Sequence, residues 1–268
     1  MADRGPGGTA EAAGTTAAAG GHAERVATLF DSKAAGWPGK YAADGRLAGR
    51  LRQLAAAVTA LAAAGGDLVD LGCGSGELAR HLAADGYRVT GADIAPRMLG
   101  QAAAADPRRT VRWVALDPGW RELPFPSASQ DAVVAASVLE YVPDPGVVFS
   151  ECARILRPGG VMLCTVPDVA HPVRWAEWPL GLAARFPLGG PLRGLPGRAG
   201  QYHAYLLTSR QRRRARWWLA AARQAGLARV AAPAPAAAGR RAPLRLLAFT
   251  RVVTGAGDVA GGSAGDGQ

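Results

Sequence analysis

Three aspartates and three glycines carry the clearest chemistry in this chain. In Val69-Asp-Leu-Gly-Cys-Gly-Ser-Gly-Glu-Leu78, Gly72, Gly74 and Gly76 follow an apolar run and open a helix-like stretch, a setting in which missing side chains let backbone approach a ligand. Glu77 stands where a dinucleotide fingerprint has its third glycine, and no Gly-Lys-Ser/Thr follows, so the loop reads against pyrophosphate. Asp70, just before the loop, would repel phosphate and suits a cationic ligand. Asp93 follows about twenty residues later, where doubly wound folds place an acid for the two ribose hydroxyls. Asp117 ends a third apolar run and could accept from an adenine amino group, with Ile94 and Met98 as apolar contacts for the ring. Taken singly, the glycines read as a tight strand-to-helix connection and each aspartate as a turn or cap residue. Three acids at three successive strand ends point instead to a ligand site.

The elements that must position these residues follow from hydrophobic patterning. Strands are predicted at Asp67–Leu71, Tyr87–Ala92, Thr110–Ala115, Asp131–Ala136 and Val161–Val166. Helices are predicted over Asp44–Ala64, Glu77–Ala84, Pro96–Ala105 and Pro145–Leu156, the last stopped by Arg157-Pro-Gly-Gly160. Such alternation implies a doubly wound, Rossmann-like α/β sheet with right-handed crossovers. A basic helix at Thr208–Ala225 and two strands, Leu227–Ala232 and Leu244–Val253, complete a seven-stranded sheet with an antiparallel edge. Residues 1–22 and 255–268 lack apolar side chains to offset ordering entropy and read as tails. Residues 23–64 read as a helical cover, 65–254 as the main domain, and 167–207 as an inserted lid.

The chain has 268 residues, 49% hydrophobic and 19% charged, which suits one globular domain. It lacks a long unbroken apolar run or a signal-like start, which disfavours a membrane span and secretion. Cys73, Cys152 and Cys164 form no CxxC pair; the pattern suits reduced thiols in a cytoplasmic protein with no metal site. The net charge of +10 is unevenly spread: between Arg154 and Arg251 stand 17 arginines against two acids, Asp168 and Glu177. Such a field draws anionic substrates, nucleic acid or acidic membrane surfaces without telling them apart. Arg210, Arg212, Arg213, Arg214 and Arg216 could track phosphates, or form a solvated face with Trp217 and Trp218 behind it.

Together with Val89-Thr-Gly-Ala-Asp-Ile-Ala-Pro-Arg-Met98, Leu123-Pro-Phe125, Gln130-Asp-Ala-Val-Val134, Val138-Leu-Glu-Tyr-Val142 and Arg154-Ile-Leu-Arg-Pro-Gly-Gly160, the glycine segment resembles the ordered motifs of class I S-adenosylmethionine-dependent methyltransferases. The resemblance spans Asp67 to Val166 and is nearest the branch of ubiquinone and menaquinone biosynthesis enzymes, the methyltransferase type 11 domain. It implies S-adenosyl-L-methionine as cofactor, with Asp70 and the loop Gly72, Cys73, Gly74 and Gly76 along the methionine moiety. It further implies Asp93 at the ribose, Leu116 and Asp117 framing the adenine, and Ser137 and Tyr141 near the methyl group. Phe30 to Tyr41 resembles the family's helical cover over the cofactor, and reads equally well as an ordinary packing helix.

A sulfonium methyl is already activated, so alignment and water exclusion are the protein's main tasks, and proximity can supply about 7–11 kcal/mol. A hydroxyl acceptor would gain from a general base. His171 and His203 are the candidates, with Tyr202 and Asp168 behind them. Trp175, Trp178 and Phe186 interleaved with Arg174 and Arg185 fit a lid over an apolar acceptor, or a cluster bracing the insertion. The reading favoured is O-methylation of a hydroxylated or aromatic small molecule, ahead of C- or N-methylation. An RNA methyltransferase is disfavoured because Ser137-Val-Leu-Glu-Tyr141 stands where an Asx-Pro-Pro-aromatic motif would be. A cofactor-binding module without turnover is the third alternative, and oligomeric state is left open.

Overall fold

The computed structural model describes residues 21–42, 45, 47–185, 197–233 and 243–252. Its frame is a sheet of β1 (Asp67–Leu71), β2 (Arg88–Asp93), β3 (Arg112–Ala115), β4 (Gln130–Ala135), β5 (Leu156–Pro167), β6 (Leu227–Val230) and β7 (Leu244–Arg251) in the order β3-β2-β1-β4-β5-β7-β6. Strands β1 to β5 run parallel, while β7 is antiparallel to both β5 and β6. Strand order reverses between β1 and β4, so a crevice opens outside their carboxyl ends, where sheets of this kind receive ligands.

Helices α1 (21–31), α2 (Ala48–Leu61), α3 (Glu77–Ala84), α4 (Pro96–Ala104), α5 (Pro145–Ile155), α6 (Pro172–Arg185), α7 (Gly197–Thr208) and α8 (Ala215–Gln224) connect or cover these strands, with two 3-10 turns at Ala34–Gly36 and Pro38–Lys40. One face of the sheet buries Phe149, Trp218 and Phe249, with ring centroids 6.5 Å and 5.9 Å from Phe149. The other buries Leu54, Val58, Leu82, Val89 and Leu163. The near-continuous apolar runs of β1, β4 and β5 follow from burial on both faces.

Three expectations change. Helix α1 begins at 21, and His22 within it is 2% exposed and bonded through Nε2 to the Tyr141 carbonyl at 2.9 Å, so the cover starts inside the expected tail. The basic helix predicted from Thr208 begins at Ala215 instead. Arg210 and Gln211 donate their backbone N–H groups to the Glu140 carbonyl at 3.0 and 3.2 Å, which holds the chain out of helical geometry. Strand β5 starts at Leu156 and takes up the Pro-Gly-Gly segment as a register shift against β4. Residues 1–20, Phe186 and 255–268 lie outside the described residues.

Gly76 shows why the loop needs glycine. It caps α3 at φ 78°, and a Cβ there would run into the ring of Trp113 and the side chain of Ala102. Gly76→Ala is expected to destabilise the fold by about 2–4 kcal/mol through left-handed strain plus overpacking, read as a lowered urea midpoint at unchanged slope.

Candidate functional site

A cavity of about 420 Å³ opens at the carboxyl ends of β1, β2 and β4, within the range of small-molecule sites. Asp70, Gly72, Cys73, Gly74, Asp93, Ile94, Leu116, Ser137 and Tyr141, nine of the residues expected there, line it. The glycine loop is tied back to β2 because Gly72 and Cys73 both donate to the Ala92 carbonyl, at 2.7 and 3.2 Å. Asp93 fastens the loop to the next turn: its Oδ2 accepts from the Gly74 N–H and its Oδ1 from the Ala95 N–H, each at 2.8 Å. A carboxylate oxygen has a second lone pair, so both stay able to accept from a hydroxyl. Burial pushes the pKa of Asp93 above the ordinary carboxylate value, against the pull of these backbone donors.

Asp70 is 2% exposed and its Oδ2 has no hydrogen-bond partner. Burial first, then the negative charges of Asp93 and Glu77, push its carboxyl up to about 7, opposed by the Arg50 cation. Arg50, on α2, also lines the cavity, and its buried Nε likewise lacks a partner. An unpartnered carboxylate oxygen and an unpartnered guanidinium nitrogen in one cavity are costly unless a ligand supplies both complements. A zwitterionic amino-acid group has those complements.

The N-terminal segment closes the cavity. Phe30, Trp37 and Tyr41 line it, and Trp37 lies so near the loop that a Cβ on Gly74 would come within 3.3 Å of its Nε1. Phe30 meets Trp37 and Tyr141 edge-on, at 5.5 and 5.1 Å between centroids. Ser137 sits at φ 58° with its N–H donated to Thr165 Oγ1 at 2.8 Å, a left-handed conformation held by its neighbours. Tyr141 is half-buried, and desolvation lifts its phenol well above the ordinary value.

Six expected residues do not line the cavity. Gly76 serves as the α3 cap, and Met98 packs beneath the cover with Ala34 and Ala95. Asp117 is exposed, its Oδ1 accepting from the Gly119 N–H at 2.7 Å: in Asp-Pro-Gly the turn claims the carboxylate. His171 accepts from the Val173 N–H through Nδ1 at 3.2 Å at the start of α6. His203 is buried on α7, and Tyr202 is 43% exposed and stacked on Tyr205 at 5.9 Å. The described residues of 167–207 contribute nothing to the lining, and among the described residues Phe30, Trp37 and Tyr41 cover it from the N-terminal segment. Arg50 was missed: it sits within the predicted Asp44–Ala64 helix, where its signal is a long cation one helical turn before Leu54, on the side of the helix that is buried.

Residues 69–164 match the family model described as a methyltransferase domain. A protein of Mycolicibacterium smegmatis named as a probable S-adenosylmethionine-dependent methyltransferase is 40% identical over 105 residues, 39% of each chain. A ubiquinone biosynthesis O-methyltransferase of Paracidovorax citrulli is 37% identical over 128 residues, 44% of this chain and 52% of that one. The chain spans about two-fifths to half the length of these curated relatives. In fold it resembles the methyltransferase of the Haloferax volcanii complex with the Trm112 activator, at TM-score 0.61 and 24% identity over 84% of this chain and 98% of that one.

Proposed function

We propose that the chain, whose residues 69–164 match a methyltransferase domain, is a class I S-adenosylmethionine-dependent methyltransferase that transfers a methyl group to a hydroxyl of a small aromatic or otherwise hydroxylated acceptor. The observation that carries the proposal is the pair of unpartnered buried atoms, Asp70 Oδ2 and Arg50 Nε, in the cavity that the glycine loop lines. Asp70 takes the cationic end of the cofactor's amino-acid part and Arg50 its carboxylate. Gly72 and Gly74 let backbone come close between them, Asp93 accepts the ribose hydroxyls, and Ile94 with Leu116 flank the adenine. Asp117 has no part in this assignment.

The cofactor, when bound, supplies a methyl group activated by its sulfonium. The chain's own contribution is then positioning and water exclusion: Phe30, Trp37 and Tyr141 wall the cavity with aromatic surface, and Ser137 marks the acceptor side. Neither Tyr141 nor Tyr41, whose phenol burial pushes up to about 12, supplies a phenolate near neutral pH. His171, His203 and Tyr202 stand away from the lining, so acceptor alignment drives the transfer: the O–CH3 bond forms as the sulfonium C–S bond breaks to leave a thioether, and the hydroxyl proton passes to solvent water. O-methylation is preferred to C- or N-methylation because five of the curated relatives are named O-methyltransferases.

Calorimetric titration with S-adenosylmethionine and S-adenosylhomocysteine, followed by transfer of labelled methyl onto a panel of phenols, tests the proposal. Micromolar binding and a labelled ether product are expected. Absence of binding overturns the site assignment, and binding with label only on carbon or nitrogen overturns the choice of acceptor atom.

A further inference from the structure

Helix α6 is built inside out. Its charged residues Arg174 and Glu177 are 9% and 6% exposed and paired at 2.7 Å, while Val173, Trp175, Trp178, Leu180 and Leu182 are 42–71% exposed. A helix packed on a domain normally turns its apolar stripe inward; here Trp175, Trp178 and Leu182, three and four residues apart, share one exposed face, and such an apolar patch left outside marks an interaction surface. The inward charges are engaged with one another and with the elements behind them: Arg174 also donates through a terminal nitrogen to the Tyr205 hydroxyl, and Arg212 pairs with Glu177 at 2.9 Å. The outward orientation is therefore locked by the polar contacts behind the helix.

The surroundings indicate the partner. The Arg212–Glu177 pair draws the segment after α7 against α6, and in that neighbourhood Arg210, Arg213, Arg214 and Arg216 are exposed. From Val169 to Pro233 the only acid in the sequence is Glu177, which is buried. A second copy of this chain would bring an equally cationic face against this one, which opposes association. Exposed tryptophans and leucines on one helix, with exposed arginines on the segment paired to it, match the interface of an anionic bilayer, where indole rings settle at headgroup depth and guanidinium groups meet phosphates. We propose that α6 and the adjoining arginine segment dock the protein peripherally on an acidic phospholipid surface. No helix among the described residues is long and apolar enough to span a membrane, so the docking is on the surface.

The test is co-sedimentation of the full chain with vesicles of phosphatidylcholine alone or with about a third phosphatidylglycerol. Binding is expected to the acidic vesicles, to fall with added salt, and to drop about tenfold or more in Trp175→Ser/Trp178→Ser and in Arg213→Gln/Arg214→Gln. Cofactor affinity, measured by calorimetry in the same variants, should stay at the wild-type value and so certifies their folding. Brominated-lipid quenching of tryptophan emission should be lost in the double tryptophan variant. Equal partition onto neutral and acidic vesicles, binding unchanged by the tryptophan substitutions, or a concentration-dependent dimer that those substitutions dissolve would each overturn the proposal.

Discussion

Asp93→Ala is expected to weaken S-adenosylmethionine binding about 100- to 1000-fold, because each charge-assisted hydrogen bond lost is worth roughly 1.5–3 kcal/mol and more than one is lost. The carboxylate has two tasks. It receives ribose hydroxyls in the proposed complex, and in the free protein it pins the Gly74 and Ala95 N–H groups at 2.8 Å. Alanine leaves both donors without their acceptor and releases the loop that Gly72 and Cys73 anchor to Ala92. Asp93→Asn separates the tasks: its single carbonyl oxygen can keep one backbone donor, so its loss of affinity should fall between wild type and alanine. Calorimetry measures the affinity and urea denaturation the fold. An affinity within twofold of wild type in a folded Asp93→Ala protein would remove the ribose assignment.

Much of the frame that holds Asp93 is legible in the sequence. β1 and α3 fall at the predicted Asp67–Leu71 and Glu77–Ala84, because a buried apolar run, a glycine turn and a helix start are all local signals. The lining residues at strand ends are legible for a related reason, since the ends of parallel strands are fixed by the topology itself, whereas Arg50 on α2 is not. Where local and distant forces compete, the reading fails. The arginine run after Thr208 has helical character, yet a carbonyl on Glu140, some seventy residues earlier in the chain, captures its N–H groups. His171 and His203 were chosen by residue type on a segment whose direction only tertiary packing decides. Asp117 shows the reverse competition: it reads as a site residue by position, while in the free fold the local Asp-Pro-Gly turn engages its Oδ1.

Asp70 carries the most distinctive pH behaviour. In the free fold its carboxyl titrates at about 7, against the ordinary 3.8 of the unfolded chain. Between these values the folded state holds a proton that the unfolded state has released. Stability of the free protein therefore falls as pH rises through that window, by up to about 4 kcal/mol, and the deficit is complete above it. Asp70→Asn removes the penalty, so the variant is expected to be more stable than wild type at pH 8 and equal to it near pH 4, as read from urea midpoints. Binding must go the other way. A cationic ligand favours the ionised carboxylate, so wild-type affinity should rise as pH climbs from 5 to about 7, by at most tenfold per pH unit, and then level off. The groups facing Asp70 act on the same titration: Asp93 and Glu77 hold its proton on, and Arg50 helps to release it. Asp70→Asn should bind the cofactor more weakly at pH 8 and with little pH dependence over that range. One substitution would thus strengthen the fold and weaken the ligand, the signature of a charge kept buried for something that is to arrive. A variant that lost stability at pH 8, or that kept the wild-type pH profile of affinity, would place the cation elsewhere.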